Sequence, residues 1–149
     1  MTLQNWLAIQ RLLPHQPTRD ALLKLLAAAA RNLQDARLQA LSADNRFDAA
    51  CKTIMQCAMV GLWANGYRTS TSQPGHHMTA IQSLPLTMQL PKDTVIVLDA
   101  LRKQRNLNDY EGDPIADAAL TACIAEADKL LAHTRQWLLA NHPELAEEQ

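Results

Sequence analysis

"TRDALLKLLAAAARNLQDARLQA", residues 18–40, decides the fold class. Thr18 offers a side-chain oxygen to cap a helix, and behind it Leu22, Leu26, Ala29, Leu33, Ala36 and Ala40 recur at alternating spacings of four and three. That period is one apolar helix face, narrow enough at its alanines for a neighbouring helix to approach closely. Ser42 or Asp44 then restarts the chain, and Phe47, Cys51, Ile54, Ala58 and Leu62 form a second stripe that runs to Trp63 before Gly66 breaks it. So few residues separate the two stripes that an antiparallel hairpin is predicted, with its turn within residues 38–46.

Composition agrees with that period. Hydrophobic residues make up 48% of the 149, aromatics 4%, and there are only 4 glycines, with Ala and Leu dominant. Such a chain favours helices over strands and, at this length, buries roughly 70% of the surface its unfolded form exposes. An all-α fold is predicted, an antiparallel up-and-down bundle of four to five helices. Residues 1–17 read as a short helix over 2–13, ended by Pro14, and a linker; residues 18–142 form the bundle; residues 143–149 are a frayed tail. Within the bundle, "YRTSTSQPGHH" (67–77) is a surface loop. A short helix follows over 76–83, "LPLTMQLPKD" (84–93) is a connector, and Asp93 caps a helix over 94–110. Gly112 ends that helix, while Asp113 and Pro114 suit the N-cap and first position of a last helix over 115–141.

Formal net charge is −1, from 14 basic and 15 acidic residues, which argues against gripping duplex DNA through many phosphates. The start lacks a signal-peptide pattern and no apolar run is long enough to span a membrane, so a cytoplasmic protein is expected. Cys51, Cys57 and Cys123 lack zinc or redox spacing and are expected to be reduced and buried. No cofactor is expected. Neither is a metal, since the adjacent His76 and His77 point about 100° apart on a helix.

One stretch carries more polar chemistry than a bundle requires: "RKQRNLNDYEGDP", residues 102–114. At 100° per residue, the face bearing Thr94, Leu98 and Leu101 continues into Arg105, Asn108 and Asp109. A buried, unpaired Arg105 is prohibitive, so it must meet Asp109, another carboxylate, a subunit or an anionic ligand. Arg102, Asn106 and Tyr110 line a neighbouring strip at four-residue spacing. In the plainer reading Arg105 pairs with Asp109 and Tyr110 packs on the last helix. In the alternative these groups form an anion or nucleotide site, because Arg presents a planar fork to phosphate and Asn both donates and accepts. His76 and His77 join such a site if the fold brings their loop over the motif.

"LDALRKQRNLNDYEGD", the hairpin "RFDAACKTIMQCAMVGLWANGYR" and "PGHHMTAIQSLP" resemble the HEPN superfamily, over roughly residues 18–140. These are small helical bundles found in prokaryotic toxin–antitoxin and phage-defence operons and among nucleotidyltransferase partners. The resemblance implies a homodimer, an RNA or nucleotide ligand, and an antitoxin or nucleotidyltransferase partner. In active members an Arg, often followed by Asn, precedes a His by four to six intervening residues, and they cleave RNA without metal at a dimer cleft. Arg105 and Asn106 match that start, but after four intervening residues stands Tyr110 and after six stands Gly112. Attack by a ribose 2′-hydroxyl needs a proton acceptor of near-neutral pKa as well as a cation, and Arg105 supplies only the cation. A binding module is therefore favoured over a ribonuclease acting through Arg105, Asn106 and Tyr110. Tyr110 also corresponds, if two residues are deleted before it, to a tyrosine that receives adenylate in some members.

Overall fold

The computed structural model describes residues 2–72 and 74–146. Among them the elements are α1 (Leu3–Ala8), β1 (Leu12–Pro14), α2 (Arg19–Ala36), α3 (Ala43–Ala64), β2 (Tyr67–Thr69), α4 (His76–Gln82), α5 (Leu84–Thr87), α6 (Lys92–Glu111), α7 (Asp117–Asn141) and α8 (Pro143–Ala146). The fold is an all-α helical bundle with one small two-stranded ribbon.

The α2–α3 hairpin forms as its sequence dictates. Thr18 Oγ1 accepts from the Ala21 N–H at 3.2 Å and Ser42 Oγ from the Asn45 N–H at 3.2 Å, each satisfying a donor that a helix start leaves open. Leu22, Leu26, Ala29, Leu33 and Ala36 are all buried. Cross-links between the helices show their direction. Asn32 Nδ2 donates to Gln56 Oε1 at 2.8 Å, Thr53 Oγ1 to the Ala29 carbonyl at 2.9 Å, and Arg46 Nε to the Ala36 carbonyl at 2.8 Å. From the Arg46–Ala36 link to the Thr53–Ala29 link the chain rises along α3 and falls along α2, so the pair is antiparallel.

α3 is the central element, packed against α2, α4, α5, α6, α7 and β2. Cys51 touches Cys123 of α7, with sulfurs 3.7 Å apart, and Cys57 lies beside Thr134 further along both helices. α3 and α7 thus run in the same direction across the bundle, with Ala50, Ala58, Cys123 and Ala127 buried there. All three cysteines are free; Cys57 and Cys123 are buried and Cys51 is half-buried. Burial pushes the Cys57 thiol up to about 12.

Several boundaries depart from the sequence expectation. The helix predicted over 2–13 stops at Ala8, because Gln10 turns left-handed at φ 61° and Leu12–Pro14 pair antiparallel with Tyr67–Thr69, Leu12 opposite Thr69. The start of the predicted 67–77 loop is therefore a strand, and Leu12 is fully buried. The 84–93 connector contains α5, whose Leu84 is buried along with the following Met88. Gln89, at φ 57°, accepts from Trp137 Nε1 at 3.1 Å, and His133 Nε2 bonds the Met88 carbonyl at 2.8 Å, so this segment is tied to α7.

Pro91 rather than Asp93 is the N-cap of α6, and Gly112 closes that helix in the left-handed region at φ 74°. α7 begins at Asp117 with Ala116 as its N-cap, not at Asp113 and Pro114. The reason is a tether: the Ile115 N–H donates to Asp44 Oδ1 at 2.9 Å, which holds the 113–116 segment extended against α3. Residues 143–146 of the expected frayed tail form α8, with Leu145 and Ala146 packed on the core; 147–149 lie outside the described residues.

Candidate functional site

Leu98 and Leu101 anchor α6 in the core, as their spacing predicts, and the same face carries Arg105 one turn on. Arg105 does not pair with Asp109. Its Nε donates to Asp48 Oδ1 on α3, 57 positions away in sequence. Burial disfavours the Arg105 charge, but the hydrogen bond and charge of Asp48 outweigh it and hold the guanidinium pKa above its ordinary value. Arg102 Nε donates to Asp99 Oδ1 at 2.7 Å, one helical turn back, with side chains only 16% and 14% exposed. Neither arginine makes a hydrogen bond through its terminal Nη groups among the described residues.

Both arginines line a cleft of about 200 Å³ between α3, α4 and α6. Met55, Ile81, Leu98 and Leu101 give it apolar walls, and Lys52, Gln56 and His77 add polar groups. His77 reaches the cleft because Gly75, at φ 77°, turns the chain into α4 immediately before the two histidines. The His77 pKa is lowered, first by burial and then by His76, Arg105 and Arg102, so its imidazole is neutral at pH 7. Lys52 has no ion-pair partner among the described residues.

The predicted site residues thus divide. Arg102, Arg105 and His77 come together. His76 meets His77 edge to face, ring centroids 4.3 Å apart, but does not line the cleft. Asn106 is exposed, and Tyr110, at 91% exposure, does not pack on α7. Asn108 and Asp109 lie on the other side of Arg105, lining a pocket of about 50 Å³ with Asp44, Phe47, Asp48 and Ile115. The Asn108 side chain serves the helix end: it accepts from Gln104 Nε2 and donates to the Asp113 carbonyl at 2.7 Å. Among the described residues no cluster of His, Cys, Asp or Glu is arranged to hold a metal.

The residues missed in the sequence are those α3 contributes, above all Asp48 and Lys52. They stand four apart, one position after the buried Phe47 and the half-buried Cys51, so both border the stripe that packs inward. Polar residues at such a border are the available signal, and it does not name their partners. No helix is long and apolar enough to cross a membrane among the described residues. The chain matches no protein-family model, no curated protein and no solved structure.

Proposed function

We propose that this is a HEPN-like nucleotide- or RNA-binding protein of toxin–antitoxin or phage-defence type, and that the α3–α4–α6 cleft is its binding site. The observation that carries the reading is that His77, Arg102 and Arg105, with Lys52 and Gln56, line one cleft whose remaining walls are largely apolar. Terminal guanidinium nitrogens and Lys52 are suited to a phosphate, and Met55, Ile81 and Leu98 to the flat apolar face of a base. At about 200 Å³ the cleft falls below the ~300–1,000 Å³ of drug-sized sites, so it fits one nucleotide unit. The operon setting rests on the resemblance alone.

The test is fluorescence anisotropy of a labelled single-stranded oligoribonucleotide in chelator, with wild type, Lys52→Glu and His77→Ala. Both substitutions are at exposed positions and should leave the helical signal unchanged. Reversing a phosphate-facing charge is expected to weaken binding about tenfold, the equivalent of ~1.4 kcal/mol. A wild type that binds no RNA or mononucleotide, or binding indifferent to both substitutions, refutes the proposal.

One observation favours a second reading, RNA cleavage. His77 is a neutral imidazole in the same cleft as two arginines, the proton acceptor that the motif helix lacks. In that reaction His77 takes the 2′-hydroxyl proton, the 2′-oxygen attacks phosphorus, the P–O5′ bond breaks, and solvent protonates the leaving oxygen while arginine holds the phosphorane charge. Gel analysis of the same samples separates the readings: shortened RNA with wild type and intact RNA with His77→Ala means cleavage, and intact RNA throughout means binding alone.

A further inference from the structure

α3 and α7 bring together two thiols that stand 72 positions apart in the sequence. Cys51 and Cys123 are both free, with their sulfurs 3.7 Å apart. Ala50 and Ala127, both fully buried, flank the contact, and side chains that small let the two helices approach closely. A disulfide needs ~2.05 Å, so the sulfurs would close by ~1.7 Å, a step of the size that a change of χ1 provides.

The two thiols are not equivalent. Cys51 is half-buried and lines the α3–α4–α6 cleft, which gives it a route to solvent, and the same cleft carries Lys52, Arg102 and Arg105. A negative Cys51 sulfur is among the charges that hold the Arg105 pKa up, so the guanidinium and this sulfur attract each other. Cys123 is fully buried and does not line the cleft. Its hydrogen bond to Cys51, then burial, then the negative charge of Cys51 and Glu126 push its thiol pKa up, so it keeps its proton and donates toward the Cys51 sulfur. A reachable sulfur beside cations, backed by a second thiol in contact, is the arrangement of an attacking cysteine and its resolving partner. Cys57, buried beside Thr134, does not line the cleft.

We propose that Cys51 and Cys123 form an oxidation site for small hydroperoxides, which convert the pair to a reversible α3–α7 disulfide. The Cys51 thiolate attacks a peroxide oxygen, the O–O bond breaks, and the hydroxide released takes a proton from solvent to become water. Cys51 is then a sulfenic acid. The Cys123 sulfur attacks the Cys51 sulfur, its proton leaves with the displaced hydroxide as a second water, and the S–S bond forms. One hydrogen peroxide is thus reduced to two waters while two thiols are oxidised to one disulfide. This chemistry needs no occupant in the cleft other than the peroxide. In a compartment that keeps thiols reduced, a bond of this kind is transient and reports the oxidant.

Thiol counting by mass spectrometry tests this. Reduced wild type, freed of reductant, is exposed to a few-fold excess of hydrogen peroxide, alkylated with iodoacetamide and read intact and as peptides. Alkylated thiols are expected to fall from three to one, the one left being Cys57, with a peptide joining residues 51 and 123 of one chain, and dithiothreitol should restore all three. Cys123→Ser should halt Cys51 at the sulfenic acid, trapped by dimedone, and Cys51→Ser should leave Cys123 reduced, each variant being checked for helix content. Wild type that keeps all three thiols under peroxide that fully oxidises free cysteine in a parallel sample overturns the proposal, as does a disulfide through Cys57 or one joining two chains. Oxidation of Cys123 that persists in Cys51→Ser overturns the role of Cys51 as the attacking sulfur.

Discussion

Arg105 is the residue on which a structural and a ligand-binding role compete, and its pair with Asp48 makes the structural share measurable. The side chains are 28% and 36% exposed, between the fully wet and fully buried cases. Exposed pairs contribute about 0–1 kcal/mol, whereas stranding one member of a buried pair costs about 3–5 kcal/mol. With roughly a third of each group still hydrated, Arg105→Met should cost ~1–2 kcal/mol. For a chain of this size that is ~2–8 °C in melting temperature. Methionine retains the apolar stem, so the loss reports the guanidinium rather than its packing against the cleft wall.

The assay is urea unfolding of wild type, Arg105→Met, Asp48→Asn and the double variant, followed by circular dichroism. Once either partner is removed, removing the other should cost little more, leaving a coupling of ~1 kcal/mol in the cycle. Asp109→Asn serves as the control and should stay within about ±0.5 kcal/mol, because Asp109 is exposed and unpaired among the described residues. Additive losses at Arg105 and Asp48, within ~0.3–0.5 kcal/mol, would refute the pair. A coupling that appears with Asp109 instead would restore the pairing suggested by four-residue spacing within α6.

Three further outcomes follow from the same geometry. Gly61→Ala should destabilise by ~1–3 kcal/mol in urea, despite alanine's better helix propensity, because its Cβ would sit 2.9 Å from Thr87 Oγ1 and 3.1 Å from Met88 Cγ; a stabilised variant would mean α5 gives way. For His77 the folded pKa lies below the ordinary value, so stability should be full above about pH 6.5 and decline as pH falls toward the folded value. His77→Gln should flatten that decline in melting curves, and an unchanged slope would assign it to another group. RNA phosphodiester binding should run the opposite way, since an anion raises the His77 pKa and affinity then climbs as pH falls; a pH-independent affinity would remove His77 from the contact. Salt titration of binding by a dinucleotide, which carries one phosphodiester, should give a slope near −0.7, the value for one neutralised phosphate on a single strand, and a longer strand should give a steeper slope if it makes further contacts outside the cleft.

The fold was legible where local signals and packing agree. The stripes of α2 and α3, the Thr18 and Ser42 caps and the Gly112 stop each state in sequence what the structure does with them. The β1–β2 ribbon left no such signal. Three-residue strands are too short for an alternating pattern, and the pairing is set by burial of Leu12 and the Gly66 turn, at φ 92°, after α3. α5 was hidden for a similar reason: a turn holding Pro85 reads as a connector until α3 and α7 close over Leu84 and Met88. At the site, the need of Arg105 for a carboxylate followed from its helix position, but the identity of that carboxylate did not. Four-residue spacing favoured Asp109 on the same helix, whereas the side chain points inward to α3, where Asp48 stands.

The pairing of both cleft arginines sets what the cleft can hold. Of the three cations that line the cleft, Arg105 is paired with Asp48 and Arg102 with Asp99, which also meets Lys103 at 3.5 Å outside the cleft, while burial and the neighbouring cations disfavour a proton on His77. Lys52, exposed at the rim, is the cleft cation with no ion-pair partner among the described residues. A phosphodiester carries one negative charge and matches that balance; a nucleoside triphosphate would bury charges with nothing to meet them beyond the proton His77 can accept. The carboxylates also hold each guanidinium by its Nε, so the terminal nitrogens need no rotameric search before meeting an anion. A phosphate arriving there competes with Asp48 and Asp99 for the same charge, so its attraction is shared and affinity for a single unit stays modest. Tight binding then requires additional units of the same strand outside the cleft, which favours RNA over a free nucleotide as the natural occupant.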